Sequence, residues 1–273
     1  MPDFIVIGGG LIGMLTAREL ASQGHAVSLL EQGQTGRESS WAGGGIVSPL
    51  YPWRYNDSIT RLASWSQRHY PMLAESLREE SGIDPEYSRS GLLVLDQKET
   101  ELALAWKSKT PQPMEQLTPE AVAACEPALQ NPGESAIWLP EVAQVRNPRL
   151  VRACRGAIEK RVDIREGTRV TGLQIDNGRI AGVRTSTGGL SAPNVIICAG
   201  AWSGKLLEPY TPGPEIEPVL GQMILFRTPP GSLRRIVLHQ DRYLIPRRDG
   251  RVLVGSTLEY LSLIHISEPT RPL

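Results

Sequence analysis

Phe4-Ile5-Val6-Ile7 is an unbroken apolar run, the pattern of a strand buried on both faces, and Leu11, Leu15, Ala17, Leu20 and Ala21 then supply packing positions at helical spacing. The pattern predicts a strand, a helix over 11–23 stopped by Gly24, and a second apolar strand over 26–30. Leu62, Trp65, His69, Leu73 and Leu77 lie near helical spacing and predict a helix over 59–80, with Gly82 beyond its end. A short strand is expected over 91–95 and a helix over 102–108. The stretch 111–140 is richer in Pro and Glu, and its Trp138 reads as core or cavity wall. Asn147-Pro148 puts a proline at a helix start, and the helix continues over 150–160. Strands follow over 162–164, 169–175, 179–185 and 194–199, with Asp176-Asn177-Gly178 as a hairpin turn. Beyond 217 the pattern becomes that of strands over 219–226, 235–239, 243–246 and 251–257, joined by Pro- and Gly-rich turns such as Arg248-Asp249-Gly250.

Composition narrows the function classes. The chain has 273 residues, 40% hydrophobic, with 29 basic and 29 acidic residues. That length buries a large core and allows one big domain or two modest ones. A neutral balance without basic clusters makes no electrostatic case for nucleic acid or an anionic membrane. No apolar run approaches the roughly 18 residues of a membrane span. The start, MPDFIVIGGG, enters a strand at once without the basic region or cleavage site of a signal peptide. Cys125, Cys154 and Cys198 are few and widely spaced, and Cys198 in VIICAG reads as core. The expectation is a reduced, soluble, cytoplasmic protein. No two of His25, His69, His239 and His265 show metal-ligand spacing, and neither G-x-S-x-G nor C-x-x-C occurs, so no metal is expected.

The strongest local signal is Gly8-Gly9-Gly10-Leu11-Ile12-Gly13, a G-x-G-x-x-G between the first strand and helix. Gly8 allows the tight turn, Gly10 lets backbone approach a pyrophosphate, and Gly13 lets the helix sit close to the strand. The helix start, at Leu11 and Ile12, offers free N–H groups and partial positive charge to that pyrophosphate. Glu31, beside Gln32, ends the second strand where a carboxylate can accept hydrogen bonds from a ribose diol. Strand, glycines, helix, strand and acid in register make a dinucleotide site. The fingerprint does not separate NAD from FAD.

Residues 37–48 read RESSWAGGGIVS. Adjacent glycines cost backbone entropy on ordering, so Gly43-Gly44-Gly45 is either a slack loop or a surface meeting something flat. Ser39 and Ser40 offer hydroxyls ahead of the glycines, and Trp41, Ile46 and Val47 around them argue against slack. The run reads as a seat for an isoalloxazine ring.

With SSWAGGGIVSP, VIICAGAWSG and YLIPRRDGRVLVGSTLE, the fingerprint resembles the D-amino-acid oxidase family of FAD flavoproteins, from about residue 3 to about residue 260. Within it the chain is most similar to the branch that oxidises glycine for thiamine biosynthesis. The resemblance implies an α/β fold with FAD as cofactor. A discontinuous FAD-binding Rossmann-like (GR2-type) domain would take residues 1–50 and 143–210. A helical insert and antiparallel-sheet substrate domain would take 51–142 and 211–260, and both domains would be incomplete at the C-terminus. It further implies that the Val170 backbone meets the adenine, that Gly200 turns near the dinucleotide, and that Leu258 is an apolar pocket residue. Tyr243 would line the substrate pocket and bond the amino acid's carboxylate; without the resemblance it reads as an edge-strand tyrosine with a wet hydroxyl. The implied reaction takes glycine, or a small D- or N-methyl amino acid, with oxygen and water to a 2-oxo acid, ammonia and hydrogen peroxide. Its imine would feed the thiazole ring. No side chain need act as acid or base, because the flavin carries the chemistry. A homo-oligomeric parent is also implied. Another amine or imino-acid oxidase or dehydrogenase of the superfamily, or a non-catalytic nucleotide-binding remnant, are the alternative readings.

Past Glu259 the family continues into a carboxylate-binding arginine, a last Rossmann strand and a helix start that meets the flavin pyrimidine. Residues 261–273, LSLIHISEPTRPL, instead resemble no part of it and look like translated sequencing-adapter DNA. Arg247 and Arg248 match turn-flanking positions, not that arginine. The expectation is a family fragment with a foreign tail, inactive as written.

Overall fold

Strand Phe4–Ile7 lies between two parallel neighbours, Asn194–Ile197 and Val27–Leu30, which is why it can be apolar throughout. The computed structural model describes residues 1–130, 133 and 135–260. The reading of residues 261–273 as a tail lies outside the described residues. Asp163–Arg165 completes a four-stranded parallel sheet, pairing with Val27–Leu30. Helices Leu11–Ser22 and Asn147–Ile158 pack on one face, burying Met14, Ala17, Leu150, Val151 and Cys154 with Val6 and Leu29. On the other face Ile5, Ile7 and Leu30 meet Leu173 and Val183 from an antiparallel sheet of Val170–Asp176, Arg179–Thr185 and Gly188–Ser191. Its first hairpin turns at Asn177 and Gly178, both with positive φ, as expected of Asn-Gly. The strand Gly188–Ser191, in the glycine-rich segment TSTGGLS, carried no strand signal.

A mixed seven-stranded sheet forms the second body, in the order 223–227, 251–255, 242–246, 236–239, 92–94, 136–139, 115–117. Ile236–His239 pairs in parallel with Leu92–Val94; the other pairings are antiparallel. Trp138 belongs to this sheet as packing: a methyl on Gly91 would lie 1.8 Å from its ring, and Arg235 stacks over it at 5.3 Å. The stretch 219–226 is not one strand. Val219–Leu220 pairs with Glu259–Tyr260, while Met223–Arg227 pairs with Arg251–Gly255. The chain changes sheets at Gly221-Gln222, where Gln222 N donates to Thr257 Oγ1 at 3.0 Å.

The long helix runs Asp57–Ser81, with Asn56 Oδ1 accepting from Ile59 N at its start and Gly82 in left-handed conformation at its end. Leu73 and Leu77 pack into the core of the parallel sheet, but Leu62 and Trp65 are exposed. The N-terminal half of the helix is held by polar contacts, Gln67 with Val47 O and Ser64 with Gln112, so its apolar stripe is only half used. Among the described residues no helix is long and apolar enough to cross a membrane.

Candidate cofactor and substrate site

The glycine cradle is enforced by contact. A methyl on Gly8 would stand 2.3 Å from the Cys198 carbonyl oxygen, and Gly8 has φ +107°. A methyl on Gly13 would stand 1.9 Å from the Gly8 oxygen. Gly10 is different, since its methyl would meet Ser40 Oγ at 3.2 Å. The helix beginning at Leu11 has no acidic residue in its first turn and no side-chain cap from Gly10, so its N-terminal charge is left for an anion. Ser40 Oγ accepts from Leu11 N at 2.9 Å, which joins the glycine-rich loop to this helix start.

Glu31 has both carboxylate oxygens at the cradle, accepting from Gly9 N and Gly33 N, each at 2.8 Å. Gln32 and Ile12 are exposed, so Ile12 can contribute only backbone to the cradle. Thr35 donates from N and Oγ1 to Glu166 Oε1 at 2.9 and 2.6 Å, holding the Glu166 carboxyl below the ordinary carboxylate range. Gly36 N donates to Gly9 O, closing the loop beneath the glycines.

Residues 39–42 form a single helical turn, and the three glycines that follow are packed. A methyl on Gly43 would lie 2.6 Å from Asn147 Nδ2, and one on Gly45 would lie 2.1 Å from the Val145 oxygen. One on Gly44 would meet Ile245 at 2.9 Å and the Tyr243 ring at 3.3 Å. The loop is therefore not slack; its bare backbone is pressed between Asn147 and the seven-stranded sheet. Asn147 Nδ2 also donates to Ser40 O at 3.1 Å. In the sequence it was legible only as a helix start. Behind the loop a cavity of about 290 Å³ is lined by Leu11, Gly45, Tyr70, Asn147 and Leu150, among others.

Tyr243 does not sit on an edge. Its strand is flanked on both sides, the residue is 9% exposed, and its hydroxyl donates to Met223 Sδ at 3.3 Å. Thioether sulfur is a weak acceptor, which leaves the hydroxyl available to a better partner. Leu258 is exposed and joins none of the core clusters. Val170 begins its strand half-buried against the core around Ile5. Gly200 has φ +53° and open space where a side chain would be. Gly10, Ser40, Asn147, the glycine run 43–45 and Tyr243 thus lie along one line of contacts, whereas Leu258 stands apart.

The chain matches the family described as "FAD dependent oxidoreductase" over residues 3–272. It belongs to that family. The match extends across the segment read in the sequence as a tail. Glycine oxidase of Pseudomonas aeruginosa is 47% identical over 94% of this chain and 71% of its own length. The bifunctional protein ThiO/ThiG of Trichormus variabilis is 30% identical over 94% of this chain and 40% of its length. Among solved structures, glycine oxidase from Bacillus cereus superposes with a TM-score of 0.88 at 30% identity, covering 96% of this chain and 73% of that one.

For an FAD-dependent family member the cradle fits its cofactor: bare glycine backbone, a helix start with no acidic residue in its first turn and a strand-end carboxylate meet within one loop. The two arginines after Tyr243 are committed elsewhere. Arg248 bonds Asp84 Oδ2 and Tyr87 O. Arg247 donates to Gly44 O, Gln144 Oε1 and Val145 O at 2.7, 2.8 and 2.9 Å. Burial, with Arg146 nearby, lowers its pKa to about 10, so it stays charged at neutral pH.

Proposed function

We propose that the protein oxidises the amine of glycine, or of another small amino acid, with FAD as cofactor. The overall reaction takes glycine, oxygen and water to glyoxylate, ammonia and hydrogen peroxide. When bound, FAD supplies the acceptor for the substrate's hydride and passes the electrons to oxygen. In this reading the chain's residues bind and orient. Gly10 and the Ile12 amide receive the diphosphate on the turn that Gly8 and Gly13 permit, with Leu11 N held by Ser40, and Glu31, with Gln32 beside it, takes the ribose. Val170 and Gly200 border the dinucleotide, and Ser39, Ser40 and Gly43 to Gly45 line the flavin arm and ring. Tyr243 faces the amino acid, with its hydroxyl donating to the carboxylate, while the exposed Leu258 is left outside this arrangement. The thiazole of thiamine is the destination that the likeness to ThiO/ThiG supports.

The observation that carries this reading is the contact of Tyr243 with Gly44, which puts a substrate-sheet hydroxyl beside the loop that continues to the cradle through Ser40. The full-length protein reconstituted with FAD should retain flavin through gel filtration and release hydrogen peroxide with glycine. Sarcosine and D-alanine as parallel substrates rank the pocket. Retained flavin with no peroxide from any of the three would overturn the substrate assignment; no retained flavin would overturn the cofactor residues.

A further inference from the structure

Arg247 is a mostly buried cation, and among the described residues it forms no ion pair. Its fork is held by neutral oxygens: Gly44 O from the glycine loop, and Gln144 Oε1 and Val145 O from the segment entering the 147–158 helix. A charge taken from water needs hydrogen-bond partners, and here three acceptors from two separate segments take three of its five donors. Gln144 is itself fixed, its Nε2 donating to Ser90 Oγ at 2.9 Å. Arg247 is also anchored through its backbone, with its N donating to Arg251 O at 2.7 Å and its O accepting from Gly250 N. The turn carrying it is tied down by other residues, with Arg146 bridging Asp249 and Glu86 and Arg248 reaching Asp84. The guanidinium thus joins a stiff turn to the one loop whose three glycines give it no side chains of its own to pack.

We infer that Arg247 is the positioning residue of this site, fixing Gly44 against Tyr243 and so setting the gap between the cofactor loop and the substrate sheet. The inference rests on the assignment of residues 39–45 to the flavin. Three of its five side-chain N–H donors are spent on protein oxygens, so in this reading Arg247 acts through the loop it holds. A lysine at this position would keep the charge but, as a single ammonium on a flexible stem, could not hold three fixed acceptors.

Hydrogen–deuterium exchange across residues 43–47 tests this directly, comparing the wild-type protein with Arg247→Met, Arg247→Lys and, as a control on the same turn, Arg248→Met. Losing bonds from a charged donor should speed exchange in that segment by roughly tenfold to a hundredfold in Arg247→Met. Arg247→Lys should fall between, and Arg248→Met should leave the segment as in wild type. FAD titration of the same proteins should show at least about tenfold weaker binding for Arg247→Met, with blurred vibronic structure in the bound-flavin absorption band. Wild-type protection of residues 43–47 in Arg247→Met overturns the inference, and so does a loss of protection spread evenly over both sheets. If no protein takes up FAD while exchange responds as stated, the positioning role stands and the flavin assignment of the loop falls.

Discussion

At the scale of single residues, the glycines of the fingerprint separate into two kinds. Gly8 and Gly13 face protein backbone at distances no side chain can occupy, so Gly13→Ala should unfold or severely destabilise the chain, by more than the roughly 1–3 kcal/mol of ordinary overpacking. Gly10 faces only Ser40 Oγ. Gly10→Val should therefore stay folded, within a few degrees of wild type in thermal melting, yet lose flavin through gel filtration. Flavin retained at normal stoichiometry would remove the diphosphate from this loop. Tyr243→Phe is the complementary case. Its hydroxyl holds only a sulfur, so stability should change by less than about 1 kcal/mol. In the full-length protein the apparent KM for glycine should rise roughly tenfold to a hundredfold with flavin still bound, as the loss of one hydrogen bond to a charged group requires. Steady-state kinetics with flavin content measured in parallel decides it.

At the scale of elements, several contacts between segments depend on carboxylates. Glu166 accepts from Thr35, Glu80 pairs with Arg18 across the first and long helices, and Glu99 pairs with Arg54. In each the folded-state carboxyl lies below its ordinary value of 4.5, with the hydrogen bond from the partner as the leading cause. A depressed carboxyl stabilises the fold above its unfolded pKa and loses that contribution as pH falls. The urea midpoint should be flat above pH 5 and decline as pH drops below about 4.5, with Glu166→Gln showing a shallower decline; an equal slope would mean Glu166 contributes nothing. The sequence disclosed the elements whose pattern is local: the first strand, helix and second strand, the Asn-Gly hairpin and the 147–158 helix all lie within a few residues of expectation. It concealed what pairing decides. Glu115–Leu117 and Ala136–Leu139 have strand form because Leu92–Val94 gives them a sheet to extend, and no periodicity marks that. The break at Gly221-Gln222 follows from where Thr257 lies, not from propensity. The glycine cradle was legible because its spacing is its geometry. Asn147 and Arg247 were not, because their partners are backbone groups from distant segments.

At the scale of the whole molecule, both principal sheets present an open edge among the described residues. The seven-stranded sheet ends in Met223–Arg227, where Ile224, Leu225 and Phe226 are 61%, 55% and 52% exposed, so both faces of that strand are open as well as its outer hydrogen bonds. Apolar edges of this kind pair with other chains. Sedimentation velocity should show concentration-dependent association, and Ile224→Lys should shift the distribution toward monomer; an unchanged distribution would acquit the edge. The parallel sheet carries a consequence of another sort. Strand Phe4–Ile7 is made long before one of its two neighbours, Asn194–Ile197, and Asn194 also reaches back to the Asp3 carbonyl 191 residues away. During synthesis FIVI can pair on one side only after Val27–Leu30 emerges, and on the other only after residue 197 has left the ribosome. The strand therefore waits half-paired until Asn194–Ile197 emerges, and over that interval its open edge is one that a chaperone or a neighbouring nascent chain can reach.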